Sequence, residues 1–251
     1  MGRLWRRFWG AVAFYTILPT PRGAEVQGVA VWAPVVGLGL GAVLAGIDGL
    51  LSAMPLLPRS GLLVAAQVGL TGGLHLDGVI DTADGLGVTD PQRRLEVMRE
   101  SHTGAYGVMA GCLVLMLKIL ALGHLPVARF WLLTGVMGWS RWGQVAAMSF
   151  YPYLRREGKG AIPQPTGGAR PWLPGLAALL LWAGLWGCVG HGWLWPLALT
   201  GWGCGLALGV GFVLYRQLGG HTGDTYGAVV EWVEALCWCA LTALPLDQPL
   251  S

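Results

Sequence analysis

The sequence predicts an all-α fold: a polytopic bundle of about seven transmembrane helices, preceded by an N-terminal helix that is interfacial or half-inserted. Three observations support this prediction. Apolar residues make up 54% of the 251 residues and charged residues only 12%, against about 25% charged residues in an average soluble domain. Seven apolar stretches approach the roughly 20 residues that a membrane-spanning helix needs. None of the seven alternates with the period of two that is typical of a strand.

The same composition excludes several classes of protein. Side chains this apolar cannot cover the surface of an ordinary soluble enzyme, and they differ from the polar composition of a disordered chain. The formal net charge of +3 is too small and too dispersed for a nucleic-acid-binding surface. The five cysteines lie in apolar stretches without a CxxC pair, so we expect neither a disulfide framework nor a zinc site.

The predicted spans follow one another with prolines between them, and we expect residues 1–251 to form one integral-membrane domain. The apolar run near the N-terminus ends at Pro19 without a small-residue cleavage site, which favours a retained helix over a signal peptide. Glycines at Gly-xxx-Gly spacing favour close helix packing in lipid. The spans are 31–54, 60–76, 105–123, 129–150, 172–190, 194–215 and 227–245. The glycine sets are Gly37/Gly41, Gly69/Gly73, Gly107/Gly111 and Gly201/Gly205/Gly209.

The basic residues predict the orientation of the chain in the membrane. Most of the 16 Lys and Arg residues lie in the N-terminal segment 1–30 and in the loops 77–104, 151–171 and 216–226. The seven spans place these four segments on one side. Because cytoplasmic loops carry an excess of Lys and Arg, we expect this side to face the cytoplasm and the C-terminus to lie outside.

An acidic segment next to the second span is the most informative part of the sequence. Asp77, Asp81 and Asp84 stand at i, i+4 and i+7, which places them on one face of a helix. Carboxylates about 6 Å apart repel by about 3 kcal/mol at an effective dielectric constant near 20, so protons or a cation must neutralise them. Oxygen ligands favour Mg²⁺ or Mn²⁺. Gly78 and Gly85 predict room for a bulky phosphate.

Two basic clusters lie on the same predicted side of the membrane. Arg99 and Ser101 can donate hydrogen bonds to phosphate oxygens, although an ordinary polar loop would look similar. Arg156 and Lys159 stand beside glycines, a combination that suits an anionic ligand or anionic lipid head groups. Acids and basic loops at one membrane face are typical of metal-assisted phosphoryl transfer.

A third cluster opens the last predicted helix. Asp224, Glu231 and Glu234 stand at i, i+7 and i+10 and so share one helical face. Glu231 and Glu234 enter an apolar helix, where acids usually face the bundle interior and mark function. The alternative is that they pair with Lys118 or Arg141 and hold the bundle together. Asp48, deep in the first span, is ambiguous in the same way.

These motifs together resemble the cobalamin synthase family, the adenosylcobinamide-GDP ribazoletransferases. The resemblance covers essentially the whole chain, including its length and pattern of spans. Glu100 stands where Asp is expected, which keeps the charge, and Val79-Ile80 replace a Leu-Ala-like pair. The matching segments are 18–21, 73–85, 98–104, 156–158 and 222–228, followed by Glu231 and Glu234.

The resemblance implies a multi-pass membrane enzyme that requires Mg²⁺ and works at the cytoplasmic face of the inner membrane. Its reaction would join adenosylcobinamide-GDP to α-ribazole, or to the 5′-phosphate of α-ribazole, and release GMP in the last step of cobalamin nucleotide-loop assembly. The expected partners are these small molecules and the lipid bilayer, with no nucleic acid. The lower-ligand base and the 5′-phosphate stay open, and a homo-oligomer is compatible with the resemblance.

Within that reaction, the clusters receive expected roles. The expected metal ligands are Asp77, Asp81, Asp84, Asp224 and Glu231. The expected substrate-binding residues are Arg99, Ser101, Lys159, Arg156, Thr222, Thr225 and Gly78. Asp81 is grouped with the catalytic residues, and one further side chain must accept the proton of the attacking hydroxyl. Asp84 is the first choice for that base and His75 the second.

Two other readings compete with this one. A CDP-alcohol phosphatidyltransferase-like enzyme also has clustered Asp and Gly, but its pattern needs an Ala-Arg pair after the first Asp-Gly. Here Val-Ile follows Asp77-Gly78, so that match fails. A transporter could use Asp48, Lys118, Arg141, Glu231 and Glu234 as an ion path. The sequence shows no clear internal repeat of the kind many transporters have, and the acids gather at one face.

Overall fold

The computed structural model describes residues 2–25, 28–100, 102–155 and 170–245, and this part of the chain is α-helical without a β-strand. Only an isolated bridge joins Tyr153 to His221. The all-α prediction is therefore confirmed. The helices are α1 (Arg3–Tyr15), α2 (Ala33–Leu50), α3 (Leu56–Leu70), α4 (Leu74–Gly87), α5 (Pro91–Val97), α6 (Ala105–Leu122), α7 (Arg129–Phe150), α8 (Trp172–Trp186), α9 (Leu194–Leu218) and α10 (Gly223–Leu241).

Helix α7 forms the centre of the bundle. Its residues 132–147 are buried without a break, because α2, α8, α9 and α10 all pack around it. Glycine permits the closest of these contacts: a Cβ at Gly37 or Gly41 of α2 would overlap the backbone of α7. The Gly37/Gly41 prediction is confirmed, and it explains how two apolar helices can approach closely inside a membrane.

The glycines of α9 behave differently from the prediction. A Cβ atom at Gly201, Gly205 or Gly209 would have no described atom of a neighbouring helix within 4 Å. These glycines therefore do not form a packing face in the described part of the chain. Another face of α9 makes the contact instead. Gly203 packs on the ring of Trp139, and Gly211 lies opposite Ala147 and Tyr151. The spacing of four recurs on both faces of α9, and only the packing of the bundle decides which face is inside.

The second predicted span, 60–76, is interrupted. Helix α3 ends at Leu70, and Gly72 and Gly73 adopt the positive φ angles of 60° and 70° that favour glycine. The chain then turns by 90° into α4. Gly73 therefore serves the turn and not helix packing. This turn places α4, with its three aspartates, across the end of the bundle.

By length and apolar composition, four of the described helices could cross a membrane, or five if the bent α3–α4 pair counts as one span. The four are Val29–Leu50, Ala105–Leu122, Trp172–Val189 and Leu194–Leu218. Helices α7 and α10 carry buried charged side chains and fall outside this criterion. The chain is thus a helical membrane protein, and the count of seven spans stays a prediction.

One end of the bundle is tied by a buried ion cluster. Arg129, at the start of α7, donates to both carboxylate oxygens of Asp48 near the end of α2, at 2.7 and 2.8 Å. Arg59 of α3 approaches the same carboxylate at 3.1 Å. Asp48 is therefore a structural anchor. Helix α7 has 22 residues and so runs about 33 Å from this anchor to the other end, where α4 lies.

Candidate active site

The candidate site is built where α4 crosses the first turn of α10. Asp77 and Asp81 lie one turn apart on α4, and Asp224 lies in the first turn of α10. Asp77 is exposed, while Asp81 and Asp224 are half-buried. The prediction that one helix presents the aspartates is confirmed, since α4 contains Asp77, Asp81 and Asp84. The tertiary fold adds Asp224 to the first two.

The charges of this site act on one another. Burial and the carboxylates of Asp77 and Asp224 raise the pKa of Asp81 to about 6, against the opposing effect of Arg155. Burial also raises the pKa of Asp224, although Arg155 beside it acts in the opposite direction. Crowded carboxylates of this kind favour either a proton or a bound cation.

Arg155 joins the site, although it belongs to the basic cluster 155–160 of which only Arg156 and Lys159 were expected to bind substrate. Its Nη2 donates to Asp224 Oδ2 at 2.7 Å and to the carbonyl oxygen of Met98 at 3.2 Å. It thereby joins the segment after α5 to the first turn of α10. The charged loop 151–171 had signalled a basic contribution, but the sequence favoured its neighbours Arg156 and Lys159. Nothing in the sequence separates three basic residues so close together.

A cavity of about 180 Å³ opens beside the aspartates. Asp77 and Asp224 line it together with His75 and Gln144, and its remaining walls are backbone and apolar or aromatic side chains. His75 is 1% exposed, and its ring lies 6.0 Å from that of Tyr15 between centroids. The second-choice base is thus in the site, and its role stays a prediction.

Gly78 allows close helix packing, whereas it was expected to leave room for a substrate phosphate. A Cβ there would overlap the carbonyl oxygen of Asp224, and a Cβ at Gly227 would lie 3.1 Å from the backbone of His75. The two glycines therefore let α4 and α10 cross in close contact. Gly78 does not leave room for a phosphate, because the backbone of α10 fills that space.

Asp84 has a structural role in addition to the expected ones. Its two carboxylate oxygens accept hydrogen bonds from the backbone N–H groups of Gly104 and Gly107 at 2.7 and 2.8 Å. These are donors at the start of α6, which have no partner within their own helix. Asp84 thus caps α6, and its expected roles as base and metal ligand stay predictions, because an ionised carboxylate has further acceptor sites.

Glu231 does not complete the metal shell in this structure. It forms a buried ion pair with Lys118 of α6, and Glu234 pairs with both Lys118 and Arg141. The alternative considered for these acids, pairing inside the bundle, is the one observed. Asp48 belongs to the separate anchor at the far end, so the acids proposed for an ion path divide between two clusters.

Thr222 and Thr225 are fully buried and shape the start of α10. The N–H of Thr225 donates to Thr222 Oγ1 at 3.3 Å, and the N–H of Thr222 donates to Thr225 Oγ1 at 2.8 Å. This reciprocal pair is a capping box. Both residues are 0% exposed, and their assignment as binding residues stays a prediction.

The remaining predicted substrate contacts are less defined. Arg99 is exposed just after α5 and stays a candidate for phosphate binding. Ser101, Arg156 and Lys159 lie outside the described residues. Arg94 holds the same end of the protein together: its guanidinium donates to the carbonyl oxygens of Val88 and Gln217, both at 2.9 Å.

A divalent metal needs several oxygen donors that converge on one point. In residues 2–25, 28–100, 102–155 and 170–245, no three His, Cys, Asp or Glu side chains converge as a ready-made metal site. The donor chemistry nevertheless fits, because Asp77, Asp81 and Asp224 are oxygen ligands of the kind that Mg²⁺ prefers. Their mutual effect on the pKa of Asp81 shows that they share one electrostatic environment.

Fold and site define a helical membrane protein with crowded, partly exposed carboxylates beside an arginine at one end of its bundle. Comparison with known families is more specific: the cobalamin-5-phosphate synthase family (CobS) matches residues 7–242. The chain belongs to this family, which confirms the resemblance seen in its motifs.

Full-length relatives agree with this assignment. A protein of Synechococcus elongatus is 49% identical over 245 residues, covering 96% of this chain and 97% of the relative. A protein of Trichormus variabilis is 45% identical over 240 residues, covering 93% and 95%. One of Desulfitobacterium hafniense is 35% identical over 264 residues, covering 97% and 98%. All three are named adenosylcobinamide-GDP ribazoletransferase. No solved structure matches the chain.

Proposed function

We propose that this protein transfers the cobinamide-phosphate group of adenosylcobinamide-GDP to α-ribazole, or to its 5′-phosphate, and releases GMP. Family membership and the names of the relatives support the substrates. The observation that supports the chemistry is the group formed by Asp77, Asp81 and Asp224 beside Arg155. Carboxylates and an arginine at one site suit a diphosphate, which requires both cation binding and direct hydrogen bonds.

The proposal includes Mg²⁺ held by Asp77, Asp81 and Asp224. A bound divalent cation would neutralise charge on the diphosphate. Asp84 and Glu231 are left out of this set because two backbone N–H groups hold Asp84 and Glu231 lies buried against Lys118, whereas Asp224, which pairs with Arg155, lines the cavity. Arg155 keeps Asp224 in place by its 2.7 Å hydrogen bond and can also contact the substrate phosphates.

The hydroxyl of α-ribazole attacks the phosphorus atom that bears the cobinamide arm, and the bond to the GMP oxygen breaks. No covalent enzyme intermediate is needed. The residues that hold the site position the two substrates, which is the main contribution that a protein makes to phosphoryl transfer. His75, in the cavity wall, is within the site, and exposed Arg99 lies on the open face.

The proposal places the active face in the cytoplasm and the protein in the inner membrane. The basic residues of segments 1–30, 77–104, 151–171 and 216–226 support this orientation through the excess of positive charge in cytoplasmic loops. The site shares its end of the bundle with three of these segments, since Arg94, Arg155 and Gln217 all contact it or its neighbours.

The test is turnover by the purified protein in detergent or liposomes. With adenosylcobinamide-GDP, α-ribazole and Mg²⁺, we expect GMP and a corrinoid that carries the nucleotide loop, and Asp81→Asn should lose at least 99% of this activity. Glu96→Gln, on exposed α5, is the matched control and should keep it. Near-normal turnover by Asp81→Asn would refute its role, and release of CMP from a CDP-alcohol would favour the phosphatidyltransferase reading.

A further inference from the structure

The cavity beside the aspartates is lined by two buried side chains that carry unpaired polar atoms. Both ring nitrogens of His75 and the Oε1 of Gln144 are buried, and the described residues offer none of these atoms a hydrogen bond. His75 is 1% exposed and Gln144 is 4% exposed. An unpaired buried polar group costs about 1–3 kcal/mol, so such groups in a native protein usually meet water or a ligand.

The cavity is matched in size and surface to a small heterocycle. Its volume of about 180 Å³ has room for several water molecules or one ring. Phe14, Leu74 and Met148 supply apolar wall, which suits the faces of a ring. His75 and Gln144 offer hydrogen bonds to ring nitrogens or sugar hydroxyls. Mostly apolar walls with a few convergent polar groups are typical of ligand sites.

The charges of the lining favour one of the two substrates. The only charged side chains in the lining are Asp77 and Asp224, and no Lys or Arg of the described chain joins them. Asp77 and Asp224 are also the proposed Mg²⁺ ligands, so the attacking hydroxyl and the diphosphate would meet at this edge of the cavity. The uncharged remainder of the lining suits a neutral nucleoside better than a phosphate. The diphosphate of the donor is better placed outside the cavity, near Arg155 and exposed Arg99.

We propose that this cavity binds the heterocyclic ribonucleoside end of the acceptor, with His75 and Gln144 as its binding residues. The inference rests on the proposed function. The nucleoside lies with its ring against the apolar wall, and its attacking hydroxyl points towards Asp77 and Asp224. Any 5′-phosphate on the acceptor then points out of the cavity. The wall excludes water that would otherwise compete with the hydroxyl for the phosphorus.

Equilibrium binding of radiolabelled α-ribazole to the purified protein tests the proposal without turnover. We expect Gln144→Leu and His75→Ala each to raise the Kd for α-ribazole at least tenfold. Leu74→Trp should do the same by filling the cavity with an indole, while leaving the two polar residues in place. Thr134→Val is the matched control: Thr134 is buried on the same helix as Gln144 but about 15 Å away, and its Kd should stay within twofold.

Kinetic measurements on the same variants assign the cavity to one substrate. The KM for α-ribazole should rise with the Kd, while the KM for adenosylcobinamide-GDP stays within twofold. If the donor KM rises instead, the cavity holds the guanosine and the proposal is overturned. Unchanged α-ribazole binding in Gln144→Leu and Leu74→Trp would also overturn it. Failure of the proposed function looks different: α-ribazole would bind to the unaltered protein, and GMP would not be released.

Discussion

The carboxylates near the site differ in what they contact, and this difference assigns their roles. Asp81 and Asp224 have pKa values raised by burial, with other carboxylates nearby. Asp84 accepts two backbone hydrogen bonds, and Glu231 pairs with Lys118. Asp224 already pairs with Arg155 at 2.7 Å, but Asp81 and exposed Asp77 add further negative charge at this site, which is what a cation site needs. Glu231 has its charge compensated by Lys118, and Asp84 is held by two backbone N–H groups.

Asp84→Ala should therefore act on stability and not directly on the reaction. The substitution leaves the N–H groups of Gly104 and Gly107 without acceptors, at a cost of about 1–3 kcal/mol for each buried group. We expect the thermal unfolding midpoint in detergent to fall by several degrees, with activity at low temperature partly retained. The unfolding midpoint of Asp84→Asn should lie between those of the unaltered protein and Asp84→Ala. Complete loss of activity with an unchanged midpoint would instead assign Asp84 to the chemistry.

Glu231 and Asp224 can be separated by their response to Mg²⁺. Asp224→Asn removes a proposed ligand, so the Mg²⁺ concentration for half-maximal activity should rise at least tenfold. Glu231→Gln removes a charge beside Lys118, so it should lower the thermal midpoint and leave that Mg²⁺ concentration within twofold. A strong shift in Mg²⁺ requirement for Glu231→Gln would restore Glu231 to the metal shell.

At the scale of elements, the crossing of α4 and α10 creates the site. Gly78 and Gly227 remove the side chains that would hold the two helices apart, and the capping box of Thr222 and Thr225 starts α10 at the crossing. Asp77 and Asp81 thereby approach Asp224, which is more than 140 residues away in the chain. The 90° turn at Gly72 and Gly73 makes this approach possible.

Gly78→Ala adds only one methyl group, but we expect it to disturb the crossing of α4 and α10 strongly. The added methyl would overlap the carbonyl oxygen of Asp224, and overpacking of this kind costs about 1–3 kcal/mol. We expect a lower thermal midpoint and at least a tenfold loss of activity. The matched control is Gly209→Ala in α9, where nothing lies within 4 Å and helix propensity favours Ala by about 1 kcal/mol. Equal effects of the two substitutions would contradict the proposed crossing.

At the scale of the whole molecule, the two ends of the bundle are different in kind. The Asp48–Arg59–Arg129 anchor closes one end with paired charges, and the other end presents exposed Asp77 and the half-buried carboxylates. Between them, the Lys118, Glu231, Glu234 and Arg141 cluster lies fully inside. Removing one partner of such a buried pair costs about 3–5 kcal/mol, so this cluster holds α6, α7 and α10 in one arrangement.

The orientation of these two ends is testable with reporter fusions. If the site faces the cytoplasm and the chain crosses the membrane seven times, alkaline phosphatase fused to the C-terminus should be active outside. The same reporter fused after Gln92, in α5 beside the site, should be inactive. A green fluorescent protein at each position should give the opposite pattern. Matching signals from the two positions would contradict the proposed topology.

Local sequence patterns were enough to predict the helices and the family. Apolar composition predicts helices inside a membrane, because backbone groups there must find partners within the segment. The spacing of Asp77, Asp81 and Asp84 predicts one helical face, and α4 has it. Both are properties of periodicity along the chain, and they need no knowledge of distant contacts.

The partner of each side chain was decided by the tertiary fold alone. Asp84 meets Gly104 and Gly107, a pairing that does not follow from residue type or spacing. Glu231 meets Lys118, which the sequence offered only as one of two alternatives. Burying an unpaired carboxylate costs several kcal/mol of free energy or more. A buried carboxylate therefore pairs with whichever donor the packing brings close. Helix packing therefore determines which acids hold the fold together and which remain for the reaction.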